Sequence, residues 1–182
     1  DFGGQGTPPE HPELLDNLAH SLLEKKWNLK AFIRDILLSR TYQQSTLPSK
    51  GFQSMQIARR LPAEFVRDNT LAVSGLLVPE IGGPSVKPFQ PPGYYRHLNF
   101  PRRVYKQDTG DTQWRRGLYV HWQRQFLHPM MKAFDAPSRE ECTTQRPQSN
   151  TPLAALVLLN DPTFIEAAKA VSYTHLTLPT SR

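Results

Sequence analysis

From Pro12 onward the apolar residues keep to one side of a helix. Leu14, Leu15, Leu18, Ala19, Leu22 and Leu23 stand at helical spacing, which predicts an amphipathic helix opened by Pro12, where a missing N–H costs nothing. Asn28 offers a side-chain oxygen as N-cap to a second helix, whose Leu29, Phe32, Ile33, Ile36 and Leu37 repeat the pattern. So short a connection predicts an antiparallel hairpin, each helix covering the other's stripe.

Beyond Tyr42 the period is lost, and Gln43 to Ala58 reads as loop. A third helix is predicted with Pro62 in its first turn and Phe65, Val66, Ala72, Val73 and Leu76 on its inner face. Gly82-Gly83-Pro84 and the prolines from Pro88 to Gly93 then predict a long irregular excursion. Trp114, Leu118, Tyr119, Trp122 and Phe126 predict a fourth helix over Thr112 to Phe126, with its arginines outward. Thr151-Pro152 and Asp161-Pro162 each place a capping residue before a proline, so two short helices are expected, Leu153 to Leu159 and Pro162 to Ala170. The expectation is a mainly α, loop-rich domain of about six helices.

Composition sharpens this picture. The chain has 182 residues, 38% hydrophobic and 21% charged, with 17 prolines against 10 glycines, so long non-repeating connections are expected between helices. One cysteine forms no internal disulfide, and there is neither a haem-attachment motif nor zinc-spaced Cys and His, so no cofactor or metal is expected in this chain. No apolar run is long enough for a membrane span. Asp1-Phe2-Gly3 has none of the other motifs of a protein kinase around it, and that reading is rejected.

The net charge of +6 is concentrated between Tyr94 and Phe126, where Arg96, Arg102, Arg103, Lys106, Arg115, Arg116 and Arg124 face only Asp108 and Asp111. With Trp122, the residues Arg115, Arg116 and Arg124 make a candidate basic aromatic face for saccharide or nucleic acid, set against the plainer reading of a solvated helix over an aromatic core. No recognised nucleic-acid motif is present, which disfavours nucleic acid. The second candidate is the irregular segment from Phe134 to Asp161, with Asp135, Arg139, Cys142, Arg146, Asn150 and Asp161 as ligand-binding or network residues. Against ligand binding stands a structural reading: Asp161 and Asn150 as caps, the arginines as ties, Cys142 as a small buried residue. His121 and His128 are remote candidates for a base serving Cys142, and the histidines show no metal-binding spacing.

The phrases His11-Pro12-Glu13-Leu14-Leu15-Asp16, Leu61-Pro62-Ala63-Glu64-Phe65, Ile81-Gly82-Gly83-Pro84-Ser85-Val86, Phe134-Asp135-Ala136-Pro137 and Leu158-Leu159-Asn160-Asp161-Pro162 stand in the order of a known family. By them the chain resembles the planctomycete PSD-type domain, the domain of unknown function 1553. The resemblance implies a C-terminal domain of a large exported protein, periplasmic or at the cell surface, whose partners are cytochrome c-like and lectin-like modules and a carbohydrate, with any haem elsewhere in the parent protein. It carries over no reaction. Three departures follow. An upstream Asn-Arg-Trp-type segment is absent, so the domain is expected to be incomplete at its N-terminus. Residues 46 to 58 lack the family's Asp-Pro-x-Asn-Arg-Leu phrase. Val171 to Thr180 resembles a translated sequencing-library adapter of metagenomic origin, which places the domain at 1–170, with 171–182 as a non-native tail that breaks the last helix.

Overall fold

Asn28 caps its helix as its chemistry requires, its Oδ1 accepting the Ala31 N–H at 3.2 Å. The computed structural model describes residues 4–46, 59–97, 102–123, 126–143 and 145–176. Among these the architecture is helical: α1 (Pro12–Glu24), α2 (Leu29–Leu38), α3 (Ala63–Val73), α4 (Pro129–Ala133), α5 (Pro152–Asn160) and α6 (Pro162–Leu176). Extended segments meet only in isolated bridges. The chain divides into two compact units, Asp1–Arg59 and Arg60–Arg182.

The first unit is the α1–α2 hairpin. Lys26 and Trp27 turn the chain at φ of 50° and 62°, and the Trp27 N–H closes back on the Leu22 carbonyl at 3.1 Å. Lys25 then ties the helices by reaching Asp35 at 2.6 Å. Leu14, Leu18, Phe32 and Ile36 line an open apolar groove of about 590 Å³. No side chain of either helix is fully buried.

The second unit is built around α3, which packs on α4, α6 and a 3-10 turn at Gly117–Tyr119. Its inward stripe is Ala63, Arg67, Leu71 and Ser74. The predicted stripe is therefore corrected: Phe65 is 57% and Val73 79% exposed. The period was read on apolar residues alone, and an arginine occupies the middle of the buried face. Val86, Val120, Leu127, Met130, Met131, Phe134, Ala154 and Phe164 complete the core around Ala63.

The predicted helix over Thr112 to Phe126 is also corrected. Two 3-10 turns, Asp111–Trp114 and Gly117–Tyr119, stand there, and bridges pair Val78 with Arg115 and Val86 with Val120. Tertiary contacts override the local period. The Gly117 N–H donates to Asp68 Oδ1 at 2.6 Å instead of to a helical carbonyl, and a Cβ on Gly117 would sit 2.9 Å from the Glu64 Cα. Only a glycine lets this backbone lie against α3. Leu118 is 64% exposed, so the expected Trp114, Leu118 and Trp122 stripe does not form.

Helix α4, which periodicity did not predict, is short and contributes Met130, Met131 and Ala133 to the core. Both late helices begin at their prolines. Asp161 Oδ1 caps α6 by accepting the Thr163 N–H at 2.9 Å, whereas the Thr151 side chain makes no capping bond. Helix α6 continues through Leu176, so the break expected after Ala170 does not occur.

Candidate ligand-binding site

The sequence-predicted residues of the 135–161 segment do not converge. Asp135 sits at a φ of 57°, a left-handed conformation that Asp tolerates better than most residues, and this turns its carboxylate toward Ser149 and Arg60. It accepts the Ser149 N–H at 2.7 Å and the Ser149 hydroxyl at 2.9 Å, while Arg60 donates both to Asp135 and to the Ser149 carbonyl. These bonds hold the Asp135 carboxyl below its ordinary range, the Ser149 N–H first among them. Arg139 lies over the Trp122 ring, 3.8 Å from its centroid, and the Trp122 indole N–H donates to the Ser138 carbonyl at 3.0 Å. Arg146 pairs with Glu64 at 2.7 Å, and Asp161 caps α6. Asn150 and Cys142 are exposed. Cys142 is thus not the buried small residue expected from its type: it stands in a polar stretch, among Glu140, Glu141 and Thr143, that has no core to enter. The segment is a strap, tied to α3 and its approach by Arg60 and Arg146.

Beneath it lies a polar frame that periodicity does not reveal. Arg67 is fully buried, donating to the Arg115 carbonyl and, at 2.6 Å, to the Gln113 carbonyl. Burial lowers its pKa to about 10, against the raising influence of Asp68 and Asp161. Arg115 is 4% exposed, which corrects the expectation of an outward arginine. Its guanidinium donates to the carbonyls of Gly82 and Pro84 and lies 4.1 Å from the Tyr119 ring centroid. A glycine- and proline-rich loop cannot bond itself by a ladder, and Arg115 supplies the missing donors. His128 presents Nε2 to the Phe89 carbonyl at 2.8 Å, so that nitrogen carries the proton, and burial lowers its pKa to about 4.

Of the basic aromatic face, Arg116 is exposed, Trp122 is covered by Arg139, and Arg124 lies outside the described residues. The cations and aromatic rings of the region do meet, at other positions. Tyr95 packs edge-on against Tyr105 and Phe126, with centroids 5.5 and 5.9 Å away. Beside these rings Lys87, Tyr95, Arg103, Tyr105, His121 and Gln123 line a hollow of about 220 Å³. Arg103 donates to Gln123 Oε1 at 3.3 Å, and His121 Nδ1 lies 3.2 Å from the Ser85 hydroxyl. The backbone Val86–His121 pairing, in which the His121 N–H donates to the Val86 carbonyl at 2.7 Å, brings the two walls together. Lys87 was missed, and His121 was considered only as a base for Cys142, because they belong to separate excursions that meet through long-range bonds such as Val86–His121 and Val86–Tyr119.

An enzyme acting on polysaccharide, the alternative to a recognition module, would need carboxylates gathered in one cleft, and here Glu64 is bonded to Arg146, Asp68 to Gly117, Asp135 to Ser149 and Asp161 to Thr163. Among the described residues no group of three or more His, Cys, Asp or Glu could hold a metal ion, and no helix is long and apolar enough to cross a membrane. The sequence profile of PSD1, protein of unknown function (DUF1553), matches residues 1–178. The chain belongs to the PSD1 family. No curated protein and no solved structure is similar enough to extend the comparison.

Proposed function

We propose that this PSD1 chain is a non-catalytic recognition and docking module of an exported multidomain protein, and that it engages an anionic polysaccharide through the region from Lys87 to Gln123. One observation carries the reading: Lys87 and Arg103, which form no ion pair among the described residues, gather beside an aromatic cluster around a polar hollow. Aromatic faces stack on sugar rings, and guanidinium and ammonium groups hold acidic substituents. The strap from Phe134 to Asn150 serves the fold, because Asp135 and both of its arginines are already engaged within the protein. Docking to cytochrome c-like or lectin-like modules of the parent protein belongs to the same proposal, and the apolar hairpin groove is consistent with it.

The test is an array of neutral and anionic glycans, with single-stranded oligonucleotides alongside. Selective retention on anionic glycans is the expected result. Retention on oligonucleotides alone, falling steeply with salt, would replace this reading with nucleic-acid binding. Retention on neither class would overturn it.

A further inference from the structure

The hollow beside Tyr95 has the composition of an anion site. Lys87 and Arg103 enter it from different segments, and neither forms an ion pair among the described residues. Asp108 is the nearby carboxylate, but one of its oxygens accepts the Lys87 backbone N–H at 2.8 Å, and the Asp108 N–H returns a bond to the Lys87 carbonyl at 2.9 Å. That exchange fixes the backbone and directs the Asp108 carboxylate to the Lys87 N–H rather than into an ion pair with the Lys87 ammonium, while its charge is still felt at His121. The Gln123 carbonyl oxygen is occupied by Arg103, which leaves its amide N–H groups as donors, and the His121 ring completes the wall. The lining is rich in donors and poor in free acceptors.

We infer that this hollow binds an oxyanion, a sulfate, phosphate or carboxylate group either free or borne on a saccharide, held by Lys87 and Arg103 with His121 and Gln123 as further donors. The volume holds roughly seven waters at about 30 Å³ each, which accommodates one tetrahedral anion and the carbon that bears it. Tyr95 and Tyr105 supply the aromatic part of the lining. An extended polyanion would need a row of such places, so a single substituent is the better fit. The site rests on the recognition reading for its role and on its own geometry for its chemistry.

His121 gives the site a reporter. Burial, and then the charges of Lys87 and Arg103, hold its imidazole below the ordinary histidine range, opposed by Gln123 and Asp108. An anion between the three groups reverses the influence of the two cations, so binding raises the His121 pKa and takes up a proton. Affinity for an anion that keeps its charge therefore rises as pH falls through the His121 transition.

The experiment follows the His121 ring and the Lys87 ammonium by NMR during titration of the full chain with sulfate, phosphate, acetate and glucosamine 6-sulfate, each against sodium chloride at equal ionic strength. Saturable shifts with at least one oxyanion are expected, with an upward move of the His121 pKa and at least tenfold weaker binding in Lys87→Gln and Arg103→Gln. At least tenfold tighter binding of glucosamine 6-sulfate than of sulfate identifies a saccharide-borne group, and equal affinities identify the free ion. Shifts that follow ionic strength alone, or that persist in both folded variants, overturn the site. Saturable sulfate binding with an empty glycan array would remove the polysaccharide reading and leave this one standing. Glycan binding indifferent to Lys87→Gln would do the reverse.

Discussion

Arg67 donates to the Gln113 carbonyl at 2.6 Å from a side chain with no solvent exposure, and its other terminal nitrogen donates to the Arg115 carbonyl. Among the described residues no carboxylate pairs with it directly, so a buried cation is held by backbone dipoles and by the fields of Asp68 and Asp161. The planar fork is what lets one side chain serve two carbonyls two residues apart. Arg115 repeats the device one layer out, on the carbonyls of Gly82 and Pro84. Through these two arginines α3 fixes the turns that carry His121 and Gln123 toward the hollow.

Arg67→Lys should therefore be more destabilising than Arg67→Met. The lysine keeps a buried charge and cannot span both carbonyls, for an expected loss of about 2–3 kcal/mol. The methionine orphans both carbonyls but removes the desolvated charge. Urea unfolding of the two variants checks the order, and a lysine variant as stable as the parent would mean that the fork is not what matters.

The strap offers a second test. In Asp135→Asn the amide retains tolerance for the left-handed backbone but loses the charge that Arg60 and Ser149 share. We expect a loss on the order of 1–2 kcal/mol and faster proteolytic cleavage between Ser138 and Gln148, with the core unfolding in the same transition as before. The carboxyl's lowered pKa gives the contribution a sign: it is present above the ordinary Asp range and lost as pH falls through the folded-state value. Unchanged cleavage would show that the strap is held by Arg146 and Arg139 alone.

His128 sets a pH dependence of its own. Its folded-state pKa, about 4, lies below the ordinary 6.5, so its contribution is complete above about pH 6.5 and is lost as pH falls toward 4. Between pH 7 and pH 5 the loss is about 2 kcal/mol. Asp68 and Asp161, raised by burial, act in the opposite direction at lower pH and are common to parent and variant. His128→Gln keeps a donor for the Phe89 carbonyl and removes its titration, so the slope over that interval should fall by about that amount, leaving the contribution of His121, whose pKa is also lowered. A variant that retained the full slope would place the pH dependence elsewhere.

Most of the helices were legible from apolar spacing and caps: Pro12 opens α1, Asn28 caps α2, and prolines open α5 and α6. The Gly117 region was not, because what decides it lies on another helix. Trp114, Leu118 and Trp122 are spaced for a helix, yet contact with Glu64 and the bond to Asp68 require a backbone that no helix supplies. The buried face of α3 was misread for a related reason, since Arg67 looks like a solvent residue until its two carbonyls arrive from Gln113 and Arg115. The arrangement of the basic aromatic stretch was not legible either. Arg115 turns inward, while Lys87 and His121 meet through the pairing of Val86 with His121 across more than thirty residues of chain. The strap residues were all visible in sequence, and what could not be read was which partners they meet: Asp135 meets Arg60, Arg146 meets Glu64 and Arg139 meets Trp122.

If recognition belongs to the hollow and not to the strap, two arginine variants must separate on one ligand. The affinity of the best-retained anionic glycan would be measured by calorimetry for the parent chain, Arg103→Ala and Arg146→Ala. Binding weakened at least tenfold by Arg103→Ala and within twofold of the parent in Arg146→Ala is the predicted result. Loss of binding in Arg146→Ala with a folded core, and none in Arg103→Ala, would contradict it.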